Sequence, residues 1–172
     1  MPDLLRAAHL ACRCLIRLQQ RTLPVDPLAI LRRCRGTQLC TYEQAAERLR
    51  MPEDELLRLC GDADAFTVRR ERASLVCYRQ GGHPARLNFT LAHELGHVLL
   101  GHQVNGPAEE AEADCFASHL LCPQPVVQGW PPERIARTCY VSMAAAQRIT
   151  QRPPLGLNPL LADEVRRLMQ DV

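Results

Sequence analysis

Three things are missing from this chain, and each removes a class of protein. No two of its cysteines stand in C-x-x-C spacing, so a structural zinc cluster is poorly supported. No stretch reaches the ~18 uninterrupted apolar residues that a membrane-spanning helix requires. The formal net charge is only +2, too little to announce a nucleic-acid or membrane surface. The opening Met1-Pro-Asp-Leu-Leu-Arg carries an acid early and runs into an amphipathic pattern, so no signal peptide is expected.

What is present fits one soluble domain spanning 1–172. The 172 residues are 47% apolar and 23% charged, enough to build a single adequate core. Cysteine is plentiful, at 12, 14, 34, 40, 60, 77, 115, 122 and 139. Most of these sit beside Leu, Val, Ala or Phe, as small buried hydrophobes do in a reducing compartment. The expected location is the cytoplasm.

Residues 1–62 read as helical. Leu4, Ala7, Ala8, Ala11, Leu15 and Leu18 form one apolar stripe of a helix from Asp3 to Arg21. Asp26-Pro27 is an N-cap followed by an N1 proline, opening a second helix to about Cys34 that Gly36 ends. Thr37 to Thr41 reads as a short strand. Tyr42–Leu49 and Pro52–Cys60 are two further helices with Gly61 as the stop. A tight turn between two short helices invites a helix-turn-helix reading, but Pro52-Glu-Asp-Glu55 would repel a phosphate backbone. Direct nucleic-acid binding is therefore not expected. Over 63–172 the alternation of Ala65–Arg69 and Ser74–Tyr78 predicts a hairpin turning through Arg70–Ala73. Gln80-Gly-Gly-His-Pro84 then makes a turn, where His83 reads as a solvated loop residue.

The densest chemistry lies in Thr90–Val98, which contains His93-Glu94-Leu95-Gly96-His97 within an apolar run from Leu87 to Leu100. At about 100° per residue, positions i and i+4 of a helix lie nearly on one line. His93 and His97 can then offer ring nitrogens to one Zn²⁺, with Glu94 beside them as the general base. Leu91, Leu95, Val98 and Leu99 are expected on the opposite, buried side.

A catalytic zinc site needs a third protein ligand. After a loop at Gly101 and Asn105-Gly-Pro107, Glu109–Cys122 reads as a helix stopped by Pro123. Glu110, Ala113, Asp114, Ala117 and Leu121 share one stripe of it, while Glu112 and His119 fall opposite. Glu110 is the expected third ligand, with Glu112 as the alternative. Asp114, one turn on, is placed to accept a hydrogen bond from a ligand histidine. His102 lies about 180° from the His93–His97 line if the helix reaches it. His102 and Tyr140 are both candidates to stabilise an oxyanion.

Arg86-Leu-Asn-Phe-Thr-Leu-Ala-His-Glu-Leu-Gly-His-Val-Leu-Leu-Gly-His102 and Glu110-Ala-Glu-Ala-Asp-Cys-Phe-Ala-Ser-His-Leu-Leu-Cys-Pro123 together resemble the ImmA/IrrE-type (M78-like) metallopeptidases. Those share an R-x-x-F-T-x-A-H-E-x-G-H block and an E-x-E-A-(N/D)-x-F-A-x-x-L-L-x-P block. Val141–Arg148 and the upstream order of helices and hairpin are also similar. Cys122 departs from the apolar residue common at its position. The resemblance implies a zincin-like α+β fold: mainly helical, a single domain, with a small antiparallel sheet packed against the motif helix. It also implies cytoplasmic zinc peptidases, several of which cleave an XRE-type helix-turn-helix repressor to release a mobile element, phage or stress regulon. By matching positions, His93, His97 and Glu110 would hold zinc and Glu94 would be the base. Mn²⁺ or Fe²⁺ in place of zinc is an alternative. Two rival readings are a non-catalytic protein that sequesters a repressor and a small DNA-binding regulator using Tyr42–Cys60 or the Arg134–Arg148 region.

Overall fold

The computed structural model describes residues 1–61, 63–70, 73–81 and 83–172. Helices dominate: α1 (Leu4–Arg17), α2 (Pro27–Arg33), α3 (Tyr42–Leu49), α4 (Glu53–Leu59), α5 (Pro84–Leu100), α6 (Pro107–Leu121), α7 (Gln124–Val127), α8 (Pro132–Cys139), α9 (Met143–Gln151) and α10 (Pro159–Leu168). Three strands, β1 (Thr37–Thr41), β2 (Ala65–Arg70) and β3 (Ala73–Tyr78), complete an α+β fold.

Side-chain caps start α1, α2, α3, α9 and α10. The Asp3 side chain accepts the Arg6 N–H at 2.9 Å, and Asp26 accepts the Ala29 N–H at 3.1 Å; each satisfies a donor that the first helical turn would leave orphaned. Thr41 and Gln44 form a reciprocal capping box that starts α3. The expected α1 was too long. It stops at Arg17 because Gln19 turns left-handed (φ 53°), and the Gln20 and Gln19 N–H groups fold back onto the Leu15 and Ile16 carbonyls. The Arg70–Ala73 turn and the Gln80–Pro84 turn lie partly outside the described residues.

The sheet corrects one expectation. Its order is β1-β3-β2, with β2 antiparallel to β3 but β1 parallel to it, Thr37 facing Ser74 and Thr41 facing Tyr78. The sheet is therefore mixed rather than antiparallel. Helices α3 and α4 lie between β1 and the hairpin in sequence, a crossover long enough for parallel pairing.

Helix α5 runs through the middle of the main core. Leu91 and Leu95 are buried with Leu15 of α1 and with Phe116, Leu120 and Leu121 of α6. A second cluster of Cys40, Tyr42, Ala46, Leu56 and Cys77 joins the sheet to α3 and α4. The expectation that Val98 and Leu99 also face inward fails at the end of the helix. Val98 is half-buried and Leu99 is exposed, whereas Leu100 in the same turn is buried. Among the described residues no helix is long and apolar enough to cross a membrane.

Candidate metal centre

Helices α5 and α6 meet at Gly96. A Cβ there would lie 3.1 Å from Phe116 Cδ1 and 3.2 Å from Ala113 Cα. With no side chain between the two backbones, the first turn of α6 comes level with His93 and His97. That turn is fixed by Pro107 at the helix start and by a Glu110 N–H bond of 3.0 Å to the Gly106 carbonyl.

Three donor atoms converge there. His93 Nε2 and His97 Nε2 are 2.9 Å apart; Glu110 Oε2 lies 3.2 Å from the first and Oε1 3.4 Å from the second. Ligands at about 2.05 Å from a tetrahedral ion are separated by about 3.3 Å, so two nitrogens and a carboxylate in this triangle have the spacing and chemistry of a zinc site. Among the described residues His93, His97 and Glu110 are the group of three metal-ligating side chains found together. The His97 side chain is 2% exposed and that of His93 16%, but Glu110 is 46% exposed. The triangle is walled by protein behind and open in front, where a water can sit.

The backs of the two rings are held. Asp114 Oδ1 lies 2.9 Å from His93 Nδ1. Burial pulls the His93 imidazole down, but that hydrogen bond and the nearby Asp114, Glu94 and Glu110 charges carry it above its ordinary value. Asp114 is correspondingly lowered, chiefly by its bond to His93. Behind His97 stands His102, Nδ1 to Nδ1 at 2.9 Å. Burial, and then the neighbouring His93 and Arg69 charges, lowers His97 to about 3.

Glu94 is 7% exposed and lies on the sheet side of α5. The Thr67 hydroxyl on β2 donates to its Oε2. Burial raises its carboxyl above the ordinary value, against the Thr67 hydrogen bond and the positive charges of His93 and Arg69. Arg69 follows Thr67 by two residues on the same face of the strand, and its Nη1 donates to Asn105 Oδ1 at 2.8 Å.

The residues named from the sequence separate into two groups. His93, Glu94, His97, Glu110 and Asp114 come together. Glu112, the alternative ligand, turns away; its Oε2 accepts from His102 Nε2 at 3.1 Å and its Oε1 from the Asp3 N–H at 2.8 Å. His102 therefore has both ring nitrogens engaged and is not a free oxyanion donor. Tyr140 is the exposed left-handed cap of α8, and His83 the exposed cap residue of α5.

Sequence reasoning missed Thr67, Arg69 and the true place of His102. Helical phase puts His102 opposite His97, but Gly101 turns left-handed (φ 73°) and the His102 N–H bonds the His97 carbonyl at 3.1 Å. This glycine-capped reversal folds residue 102 back beneath residue 97. The Gly101-His102 pair just past the helix was the signal for it.

A search of curated proteins found no match to the chain. A family model does match: Peptidase M78, the IrrE N-terminal-like domain, aligns with residues 61–149, a little over half of the chain. That span starts ahead of the hairpin, takes in Thr67 and all of α5 and α6, and closes inside α9, so the framework that assembles the His93–His97–Glu110 triangle lies wholly within it, and the chain belongs to the M78 peptidase family.

Proposed function

We propose that this protein is a zinc-dependent endopeptidase of the HExxH type. The observation that carries the reading is the triangle of His93, His97 and Glu110, with a buried, hydrogen-bonded carboxylate at Glu94 beside it. Bound by those three side chains, zinc would supply Lewis acidity to a water and to a peptide carbonyl. Glu94 takes the proton from the attacking water and returns it to the departing amine. Its raised carboxyl suits both halves of that exchange, since a base that binds its proton more firmly is also a usable acid near neutral pH. Thr67 holds Oε2 in place and orients the carboxylate. Asp114 and His102 fix the two imidazoles so that the Nε2 atoms face inward. The outer edge of β2 lies beside Glu94, where an extended substrate segment could pair along the strand.

The substrate we propose is a helix-turn-helix repressor of the XRE type, cut to release the genes it silences, in the cytoplasm. The resemblance of the Arg86–His97 and Glu110–Pro123 blocks to peptidases with that role supports this. Nine thiols, most of them buried, suit a reducing compartment. Two imidazoles and one carboxylate with an open position are a donor set of catalytic zinc, and Mn²⁺ or Fe²⁺ are the alternatives.

The deciding experiment is Glu94→Gln. Incubated with the repressor encoded beside its gene, the wild type yields shorter fragments that a chelator suppresses. Glu94→Gln yields none, yet holds the same zinc per chain. Full activity in that variant removes Glu94 as the base, and an uncut repressor bound tightly by the wild type favours sequestration instead.

A further inference from the structure

The triangle explains which atoms face the metal position. It does not explain why His97 presents Nε2 as a lone pair and not as an N–H. The answer lies outside the triangle, in a buried file of groups that ends on the first turn of α1.

The file is read from its charged end. Glu112 is 12% exposed; its Oε1 accepts the Asp3 N–H at 2.8 Å and its Oε2 lies 4.0 Å from Arg6 Nη1. An ionised carboxylate only accepts, so the 3.1 Å contact from Oε2 to His102 Nε2 puts a proton on that nitrogen. A neutral His102 then carries a lone pair on Nδ1. The 2.9 Å contact between His102 Nδ1 and His97 Nδ1 can be made only if His97 is the donor. His97 is thereby protonated on Nδ1, and its Nε2 is left as a lone pair aimed at His93 Nε2 and Glu110. Two further contacts keep the file rigid. The His102 N–H is tied to the His97 carbonyl, and Arg6 Nη2 donates to the Leu100 carbonyl at 3.0 Å.

We propose that His102 and Glu112 are positioning residues that set the tautomer of His97, and that they couple the metal centre to the N-terminal turn of α1. This rests on reading His93, His97 and Glu110 as the metal ligands. Asp3 and Arg6 lie outside residues 61–149, which the family model matches, so the anchor of the file lies upstream of the matched span.

The test uses the full chain and Zn²⁺ alone. In metal-free wild type, imidazole ¹⁵N–¹H correlation spectra show His97 protonated on Nδ1; in Glu112→Ala and His102→Ala the ring relaxes to a mixture of tautomers. Titrated with Zn²⁺ against a chromophoric chelator, each variant binds about 10–100-fold more weakly than wild type. The double variant is no weaker than the worse single one, because both act through one file. His102→Gln, whose amide oxygen accepts from His97 Nδ1–H, recovers much of the loss. Zn²⁺ affinities within about twofold of wild type in the alanine variants overturn the proposal, as does a wild-type His97 without a proton on Nδ1. If His102→Ala does not fold, Glu112→Ala and the wild-type spectrum still decide. A wild type that takes up no Zn²⁺ overturns the metal reading of the triangle, while the His97 tautomer still settles the role of the file.

Discussion

Gly96 and Ala113 sit so close that a methyl group on Gly96 would be 3.2 Å from the Ala113 Cα and 3.3 Å from its carbonyl oxygen. Neither neighbour is a flexible side-chain end, so the contact can be relieved only by moving one helix away from the other. Gly96→Ala therefore lifts the first turn of α6, and with it Glu110, away from His93 and His97. Overpacking of this kind costs about 1–3 kcal/mol. The expected outcome is a lower urea midpoint in the metal-free protein together with weaker Zn²⁺ binding. An unchanged Zn²⁺ affinity would show that the close approach does not set the Glu110 position.

Asp114 bears on the metal centre chiefly through His93. Its Oδ1 faces His93 Nδ1 at 2.9 Å, which makes His93 a better donor at Nε2 and fixes its ring. Asp114→Asn keeps the shape and removes the charge; Asp114→Ala removes both. Zn²⁺ affinity should fall in the alanine variant by about 10–100-fold, and by less in the asparagine one. Chelator competition measures it. Equal affinities in all three proteins would leave Asp114 as an ordinary partly exposed acid.

The motif helix and its partner were legible because their signals are local. Their helical phase can be counted along the chain, and so the Glu110–Asp114 side of α6 could be chosen over the Glu112 side; their proline starts, Pro84 and Pro107, read from the sequence only as turn and loop. The parallel pairing of β1 could not be counted, since the hairpin alternation is the same whichever side β1 joins. Nor could the meeting of Thr67 with Glu94 across 27 positions, which depends on where the sheet docks on α5. His102 failed for a different reason. Extending a helix by phase assumes that it continues, and Gly101 ends it.

Acid should destabilise the metal-free protein through His97. Burial and its positive neighbours lower this ring to about 3, whereas in the unfolded chain it titrates near ~6.5. Between those values the unfolded state holds a proton on His97 that the folded state refuses, so stability falls as pH is lowered through that window and recovers above it. His93, raised above its ordinary value, acts in the opposite sense and contributes stability that is lost as pH rises through its folded value. Comparing wild type with His97→Gln isolates the first effect. Urea midpoints measured at pH 7 and pH 5 without metal should drop further in wild type than in the variant. A variant with the larger drop would contradict the assignment.

Thr67 and Glu94 supply the last test, because they join the sheet to the chemistry. Burial raises the Glu94 carboxyl, and the Thr67 hydroxyl bond is the largest influence opposing that rise. Thr67→Val keeps the β-branched shape that strand β2 needs and deletes the donor. The charged form of Glu94 then loses a hydrogen bond while staying buried, so its carboxyl must move further up. In the metal-free protein, the ¹³C titration of the Glu94 carboxyl should shift to higher pH in the variant. In the zinc-loaded protein, the acid limb of kcat/KM should shift the same way, since the base must be unprotonated to act. Activity well above that limb should change less than activity below it. A titration curve that stays in place would mean that the contact orients Glu94 without tuning it, and the pH profile would then hold still as well.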